Sequence, residues 1–81
     1  MSTSAPDQPK AVSVGFVDGD LVVGLTDGRS VHVPLTWFPR LATASREDLS
    51  DWRLIGQGVG IHWPRLDEDL SVSGLLNPRS R

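Results

Sequence analysis

Two Asp-Gly dipeptides, Asp18-Gly19 and Asp27-Gly28, constrain the fold of this chain more than any other feature. They separate three runs of residues, and in each run apolar residues alternate with small or polar ones. Such alternation is typical of a half-buried β-strand, and Asp-Gly between two strands is the strongest short signal for a β-hairpin. Residues 11–35 are therefore predicted to form a three-stranded antiparallel meander.

The first turn is predicted to contain only two loop residues, Asp18-Gly19. This loop length places Phe16 opposite Leu21 and Val12 opposite Leu25, so that the apolar side chains of both strands share one face. A type I′ turn accommodates Asp-Gly in a loop of this length, because both residues adopt positive φ.

The second turn is predicted to be one residue longer. A two-residue loop at Asp27-Gly28 would divide the apolar side chains between the two faces, because a one-residue slip inverts every side chain. A three-residue loop that includes Thr26 places Val23 opposite Val31 and restores a single apolar face. We therefore predict a type I turn with a G1 bulge, in which Gly28 is left-handed.

The two registers give the meander one apolar face and one small or polar face. The apolar face is predicted to contain nine residues: Val12, Val14, Phe16, Leu21, Val23, Leu25, Val31, Val33 and Leu35. The other face is predicted to contain Ser13, Gly15, Val17, Asp20, Val22, Gly24, Thr26, Ser30 and His32. Solvent is the expected neighbour of this second face, and a partner that approaches the glycines closely is the alternative.

One or two short helices are predicted over about residues 37–51. Pro34 ends the third strand, Thr36 is a good N-cap residue, and Pro39 is tolerated in a first helical turn. Ser45 begins a sequence that resembles a capping box, so a second helical turn is expected from there.

The last third of the chain predicts a second hairpin and a short C-terminal helix. Residues 52–55 and 59–63 are the two strands, joined by a glycine-rich turn. An acidic loop follows at residues 66–69, and either Asp69 or Ser71 is placed to cap the last helix. The fold class is α+β, with a single domain over residues 11–76, a disordered tail at 1–10 and a frayed end at 77–81.

Composition narrows the class of protein. The chain has 81 residues, no cysteine and a formal net charge of −2. The absence of cysteine excludes disulfides and thiolate metal sites and favours the cytoplasm. The slight negative charge and the lack of a basic run argue against binding to nucleic acid or an anionic membrane. We find no signal-peptide core and no apolar run long enough to span a bilayer.

Several segments in the sequence occur in a familiar order. They are Leu21–Arg29, Val33–Leu35, Trp37–Leu41, Gly60–Trp63, Leu66–Val72 and Gly74–Leu76. As an ordered set they resemble the bacterial domain-of-unknown-function family 2442, over about residues 14–76. The resemblance implies a small α+β domain that often occurs beside another small protein, in an arrangement suggestive of toxin–antitoxin pairs. It implies no catalytic residues.

One cluster in the sequence resembles a metal or acid–base site. His62 lies close to three consecutive carboxylates: Asp67, Glu68 and Asp69. Several carboxylates from one loop suit a hard divalent cation. The structural alternative is that these carboxylates cap the last helix and pair with Arg65 or Arg40. The structural alternative is preferred, because the spacing matches no known metal-binding loop.

The three tryptophans are expected to supply much of the core, with Trp63 as the exception. Trp63 ends a strand beside Pro64 and is expected to stay partly exposed. The candidate binding residues are therefore Arg40, His62, Trp63, Asp67, Glu68 and Asp69. No catalytic residue, metal ligand or cofactor is predicted.

The preferred function is that of a protein-interaction module, such as an antitoxin-like or accessory partner of a neighbouring small protein. A homodimer formed through an exposed edge strand is a further option. The alternative function is a divalent-cation-dependent enzyme or metal-binding protein that uses His62 and the Asp67–Asp69 loop.

Overall fold

A computed structural model describes residues 9–76, and it contains two three-stranded antiparallel sheets with short helices. The first sheet consists of β1 (Ala11–Val17), β2 (Asp20–Leu25) and β3 (Ser30–Pro34), in that spatial order. The second consists of β4 (Arg53–Ile55), β5 (Gly60–Trp63) and β6 (Glu68–Ser71), again in sequence order. The α-helices are α1 (Pro39–Ala42), α2 (Arg46–Ser50) and α3 (Val72–Leu76), and 3₁₀ turns cover Leu35–Trp37 and Gly56–Gly58.

The α+β class is confirmed by these elements. The disordered tail and frayed C-terminus that the sequence predicts lie outside the described residues, except for residues 9 and 10. No helix within residues 9–76 is long and apolar enough to cross a lipid bilayer.

The first hairpin has the predicted two-residue turn. Phe16 lies opposite Leu21. Asp18 and Gly19 have φ angles of 50° and 85°, the two positive values that a type I′ turn requires.

The second hairpin has the predicted three-residue loop. Val23 lies opposite Val31, the Gly28 N–H donates to the Leu25 carbonyl over 3.1 Å, and the Leu25 N–H donates to the Arg29 carbonyl over 2.8 Å. Gly28 has a φ of 91°, which is the left-handed conformation of a G1 bulge.

The predicted position of Val12 is wrong. Leu25 lies opposite Ala11 instead, and the register shifts by one residue between Ala11 and Ser13. Val12 is the extra residue of this bulge and is 57% exposed, whereas Ala11 is only 2% exposed. A bulge inserts one residue into one strand, so the side chains before it change face. The apolar face of the meander therefore begins with Ala11.

The opposite face of the first sheet is not buried. Each of its nine predicted residues is exposed or half-buried. The eight other residues predicted on the apolar face, from Val14 to Leu35, are buried or half-buried.

The first α-helix begins later than predicted, and Thr36 does not cap it. Phe38 precedes α1 with an extended backbone, at φ −128° and ψ 90°. Pro39 causes this, because proline disfavours helical geometry in the residue before it. A helix from residue 37 through Pro39 is thereby excluded, and residues 35–37 form a 3₁₀ turn instead. The prediction that Pro39 lies in a first helical turn is confirmed.

The second helix begins as predicted. The Ser45 hydroxyl accepts a hydrogen bond from the Asp48 N–H over 3.1 Å, and Glu47 and Asp48 occupy the first turn. Acidic side chains are favourable there, because the first turn of a helix carries unpaired N–H groups.

The second hairpin is confirmed, but the sheet has a third strand that the sequence did not reveal. Glu68–Ser71 pairs with β5, so the acidic segment is half turn and half strand. Only Leu70 in this strand is apolar, as is common for an edge strand. Ser71, not Asp69, then caps α3, because its hydroxyl accepts a hydrogen bond from the Gly74 N–H over 3.0 Å.

The core lies among the inner faces of both sheets and the helices. Within residues 9–76 its buried side chains are Ala11, Leu21, Val23, Leu25, Val33, Phe38, Leu41, Ile61, Trp63, Val72 and Leu75. The 3₁₀ turn at Gly58 connects the two sheets at close range: a Cβ on Gly58 would lie 3.1 Å from the Ala11 nitrogen. Only glycine permits this approach, and Gly58 also has a positive φ of 104°.

Candidate functional site

Trp63 is a core residue, and the prediction that it stays partly exposed is wrong. Its side chain is 0% exposed, and its indole N–H donates to the Leu49 carbonyl over 2.9 Å. A buried tryptophan needs such a hydrogen-bond acceptor, and α2 supplies it. Trp37 is the tryptophan that reaches the surface, with 38% of its area exposed.

The alternation of β5 and β6 divides the predicted acidic cluster between two faces. Asp69 lies opposite His62, while Glu68 lies opposite the buried Trp63. The Asp69 Oδ1 contacts the His62 Nδ1 directly on the outer face of the second sheet. The three carboxylates therefore do not converge on His62.

Arg40 holds the other part of the cluster, as the structural alternative predicted. Its guanidinium donates to the Leu66 and Asp67 carbonyls over 3.3 and 2.8 Å. The carboxylates of Asp67 and Glu68 each lie 4.0 Å from the same guanidinium. Arg40 thus links α1 to the turn between β5 and β6.

Arg65 does not pair with the acidic segment. Its guanidinium nitrogens lie 3.4 Å from Asp48, within α2, and 3.4 Å from Asp51, the C-cap residue of that helix. Of the two arginines proposed from sequence, only Arg40 contacts the carboxylates of the segment.

The positions of His62 and the acidic side chains do not favour a metal site. Among residues 9–76, no group of three or more histidine and carboxylate side chains is placed to hold a metal ion. His62 and Asp69 form a pair, and Asp67 and Glu68 are directed to Arg40. A two-residue pair on an open sheet face lacks the ligand number that a divalent cation requires.

The surface around β6 combines polar pairs with exposed apolar side chains. One depression beside this strand is lined in part by Trp37, and another by Ile55 and Val59. Both depressions include Asp69, Leu70 and Ser71 in their walls. We call this region the β6 surface, defined by Trp37, Ile55, Val59, Asp69, Leu70 and Ser71.

Ile55 and Val59 are functional candidates that sequence reasoning missed. Ile55 is 45% exposed and Val59 54% exposed. A Cβ on Gly60 would lie 3.1 Å from the Ile55 side chain, so the absence of a side chain at Gly60 lets Ile55 lie across β5. The sequence signal was a large aliphatic residue on each side of a glycine-rich turn.

The charges on the outer face of the second sheet form a row. His62 lies between Arg53 of β4 and Asp69 of β6, each directly opposite it on a neighbouring strand. The row ends at Asp69, which belongs to the β6 surface.

Two solved structures share this fold. A protein of unknown function from Rhodospirillum rubrum, determined by crystallography, is 31% identical, with a TM-score of 0.78 and 89% of each chain covered. An uncharacterised protein from Chromobacterium violaceum, determined by solution NMR, is 26% identical, with a TM-score of 0.73. That alignment covers 86% of this chain and 66% of the other.

No curated protein is significantly similar to this chain in sequence. The family model described as "Protein of unknown function (DUF2442)" matches residues 11–81, nearly the whole chain. The ordered segments from Leu21 to Leu76 indicated the same family, and the chain belongs to it.

Proposed function

We propose that this chain is a protein-interaction module that binds another protein through the β6 surface. The observation that carries the proposal is that exposed apolar side chains line the two depressions beside strand β6. Trp37, Ile55 and Val59 are three of the five large hydrophobic residues that are exposed within residues 9–76. All three line the depressions beside one edge strand.

The composition of the β6 surface suits a protein partner. Binding energy at protein interfaces concentrates in a few aromatic and apolar anchors surrounded by polar groups. Trp37, Ile55 and Val59 supply the apolar anchors, and the His62–Asp69 pair supplies a polar rim.

The partner we propose is a small protein made in the same cytoplasm, with this chain acting as its antitoxin-like or accessory partner. An apolar patch on the partner would cover Ile55 and Val59, and a hydrogen-bond donor would meet Asp69. The family resemblance supports a partner encoded by a neighbouring gene, and the lack of cysteine favours the cytoplasm.

The experiment is co-expression of the tagged chain with the product of the adjacent gene, followed by calorimetric titration of the two purified proteins. We expect Val59→Asp to weaken binding by about tenfold or more, because a carboxylate replaces an apolar contact in a desolvated centre.

Val17→Asp is the matched control. Val17 is 55% exposed, against 54% for Val59, but it lies on the first sheet, outside the β6 surface. Its substitution should leave the affinity unchanged. Equal losses in both variants, or full affinity in Val59→Asp, would place the interface elsewhere.

A further inference from the structure

Strand β1 has an open hydrogen-bonding edge on a surface separate from the β6 surface. It is the longest strand among residues 9–76, with seven residues, and it pairs only with β2. Gly58 packs against the main chain of Ala11 and protects the start of this edge. The open part therefore runs from Val14 to Val17, and an unpaired edge of this kind is a template for another strand.

The type I′ hairpin determines which groups of β1 face outward. In a two-residue hairpin the residues that flank the turn, Val17 and Asp20, form a hydrogen-bonded pair. Gly15 and Val22 form the next such pair, because hydrogen-bonded pairs recur every second residue. The main-chain N–H and C=O groups of Val14 and Phe16 consequently point away from β2.

The positions of these outward groups favour a two-fold arrangement with a second copy. An antiparallel register centred on Gly15 pairs Val14 with Phe16 of the other copy, and Phe16 with its Val14. Both pairs are hydrogen-bonded, which gives four main-chain hydrogen bonds. A register centred on Val14 would instead bring Phe16 to the bulge at Val12, where the ladder is disrupted. A register centred on Phe16 would bring Val14 to the turn residue Asp18, which has a positive φ.

Side chains on both faces fit the register centred on Gly15. On the outer face the two Gly15 residues meet, and a Cβ built on Gly15 has nothing within 4 Å, so the space there is open. On the inner face Phe16 would meet Val14 of the other copy, an aromatic and β-branched pair that stabilises antiparallel strands.

A groove with apolar and polar walls adjoins this edge on the inner side, and its polar lining includes Asp18, Arg46 and Ser50. Val14 and Phe16 line it together with Leu49 and Trp52, and all four side chains are half-buried. The two-fold axis would bring the grooves of both copies together, so that each covers the exposed apolar area of the other.

From these features we infer that two copies of this chain associate by antiparallel β1–β1 pairing, with the two-fold axis at Gly15. The first sheet of one copy and the first sheet of the other then form one six-stranded sheet. In this register β1 is complementary to itself, so a second copy of the chain fits the open edge of the strand. A chain of 81 residues without disulfides also gains stability from self-association. The inference is independent of the proposed partner at the β6 surface.

The test uses Gly15→Lys and Gly15→Asp in the full chain, with analytical ultracentrifugation over the micromolar to millimolar range. Wild type is expected to dimerise. Each variant alone should raise the dimer Kd roughly fivefold or more, because like charges meet directly across the axis. Mixing the two variants should restore association, because opposite charges then meet.

His32→Lys is the matched control, since it adds one cation to the outer face of the same sheet but on β3. It should dimerise like wild type, and circular dichroism should show that all variants are folded. A wild type that remains monomeric over the whole range would overturn the inference. Dimerisation of Gly15→Lys at the wild-type Kd, or no recovery in the mixture, would overturn it as well.

Discussion

The indole of Trp63 combines full burial with a hydrogen bond that satisfies its N–H group. Its N–H donates to Leu49, and the side chain is fully buried. We expect Trp63→Phe to lower the free energy of unfolding by about 1–3 kcal/mol through the unsatisfied Leu49 carbonyl, with a further loss from the cavity.

Urea denaturation followed by circular dichroism measures this loss. Trp37→Phe is the control, because Trp37 is 38% exposed and its substitution should have the smaller effect. A Trp63→Phe variant as stable as Trp37→Phe would contradict the burial of Trp63 in the core.

Asp27 lies in the second turn, where Arg29 affects the pKa of its carboxyl. The pKa of its carboxyl is lowered, first by a hydrogen bond from the Arg29 N–H and also by the Arg29 guanidinium 2.8 Å away. A carboxyl with a lowered folded-state pKa adds stability above its unfolded pKa of about 3.9, and this contribution is lost as the pH falls through the folded pKa.

We therefore expect Asp27→Asn to reduce stability more at pH 7 than at about pH 2, because the contribution of the carboxylate is lost as the pH falls through its folded-state pKa. Urea midpoints at the two pH values measure the difference. The effect should be small and should shrink in high salt, because Asp27 is at the surface. A loss of equal size at both pH values would show that the charge of Asp27 is not its cause.

At the scale of elements, the two hairpins of the first sheet use the same dipeptide in different turns. Gly28 occupies a left-handed position at φ 91°, whereas Gly15 lies in the middle of β1 without a positive φ. Gly28→Ala should cost about 1–2 kcal/mol in the free energy of unfolding, because a Cβ disfavours left-handed geometry.

Gly15→Ala is the comparison within the same sheet. It should be neutral or stabilising by about 0.4–1 kcal/mol, because alanine restricts the unfolded chain and its Cβ meets no atom within 4 Å. Urea unfolding at low protein concentration, where association is negligible, measures both variants. The reverse ranking would be inconsistent with the bulged three-residue loop.

At the scale of the whole molecule, Arg40 connects helix α1 to the turn of the second sheet. Its guanidinium donates to the Leu66 and Asp67 carbonyls, 26 and 27 residues further along the chain. Arg40→Ala should lower the free energy of unfolding by about 1 kcal/mol. The loss is modest because water competes for the hydrogen bonds of an exposed charged donor and reduces their net contribution to stability.

Arg53→Ala removes the same charge from an exposed position on strand β4, away from the turn between β5 and β6, and is the control. Thermal unfolding of both variants at the same protein concentration makes the comparison. If the two variants lose equal stability, then net charge rather than the connection made by Arg40 explains the effect.

Little of the candidate site could be predicted from sequence: of the six predicted binding residues, only Asp69 belongs to the β6 surface. The pairing of Arg40 with the acidic segment followed from opposite charges on elements expected to meet. The separation of Asp69 from Glu68 did not follow, because it depends on residues 68–71 forming a strand. With one apolar residue, that strand shows no alternation, and only its pairing with β5 defines it.

Local sequence determined the two Asp-Gly turns, their different lengths and the registers next to them. These features depend on the φ preferences of adjacent residues and on the period-two alternation of the strands, both of which act over a few residues. The family also followed from the order of short segments.

Tertiary structure alone decided three other features: the bulge at Val12, the burial of Trp63 and the third strand of the second sheet. Each is accompanied by a contact between residues distant in sequence: Gly58 with Ala11, the Trp63 indole with the Leu49 carbonyl, and β6 with β5. Such contacts form only when the folded chain brings the two partners together. Local sequence patterns therefore do not predict them. The apolar side chains of the β6 surface became a single candidate site for the same reason.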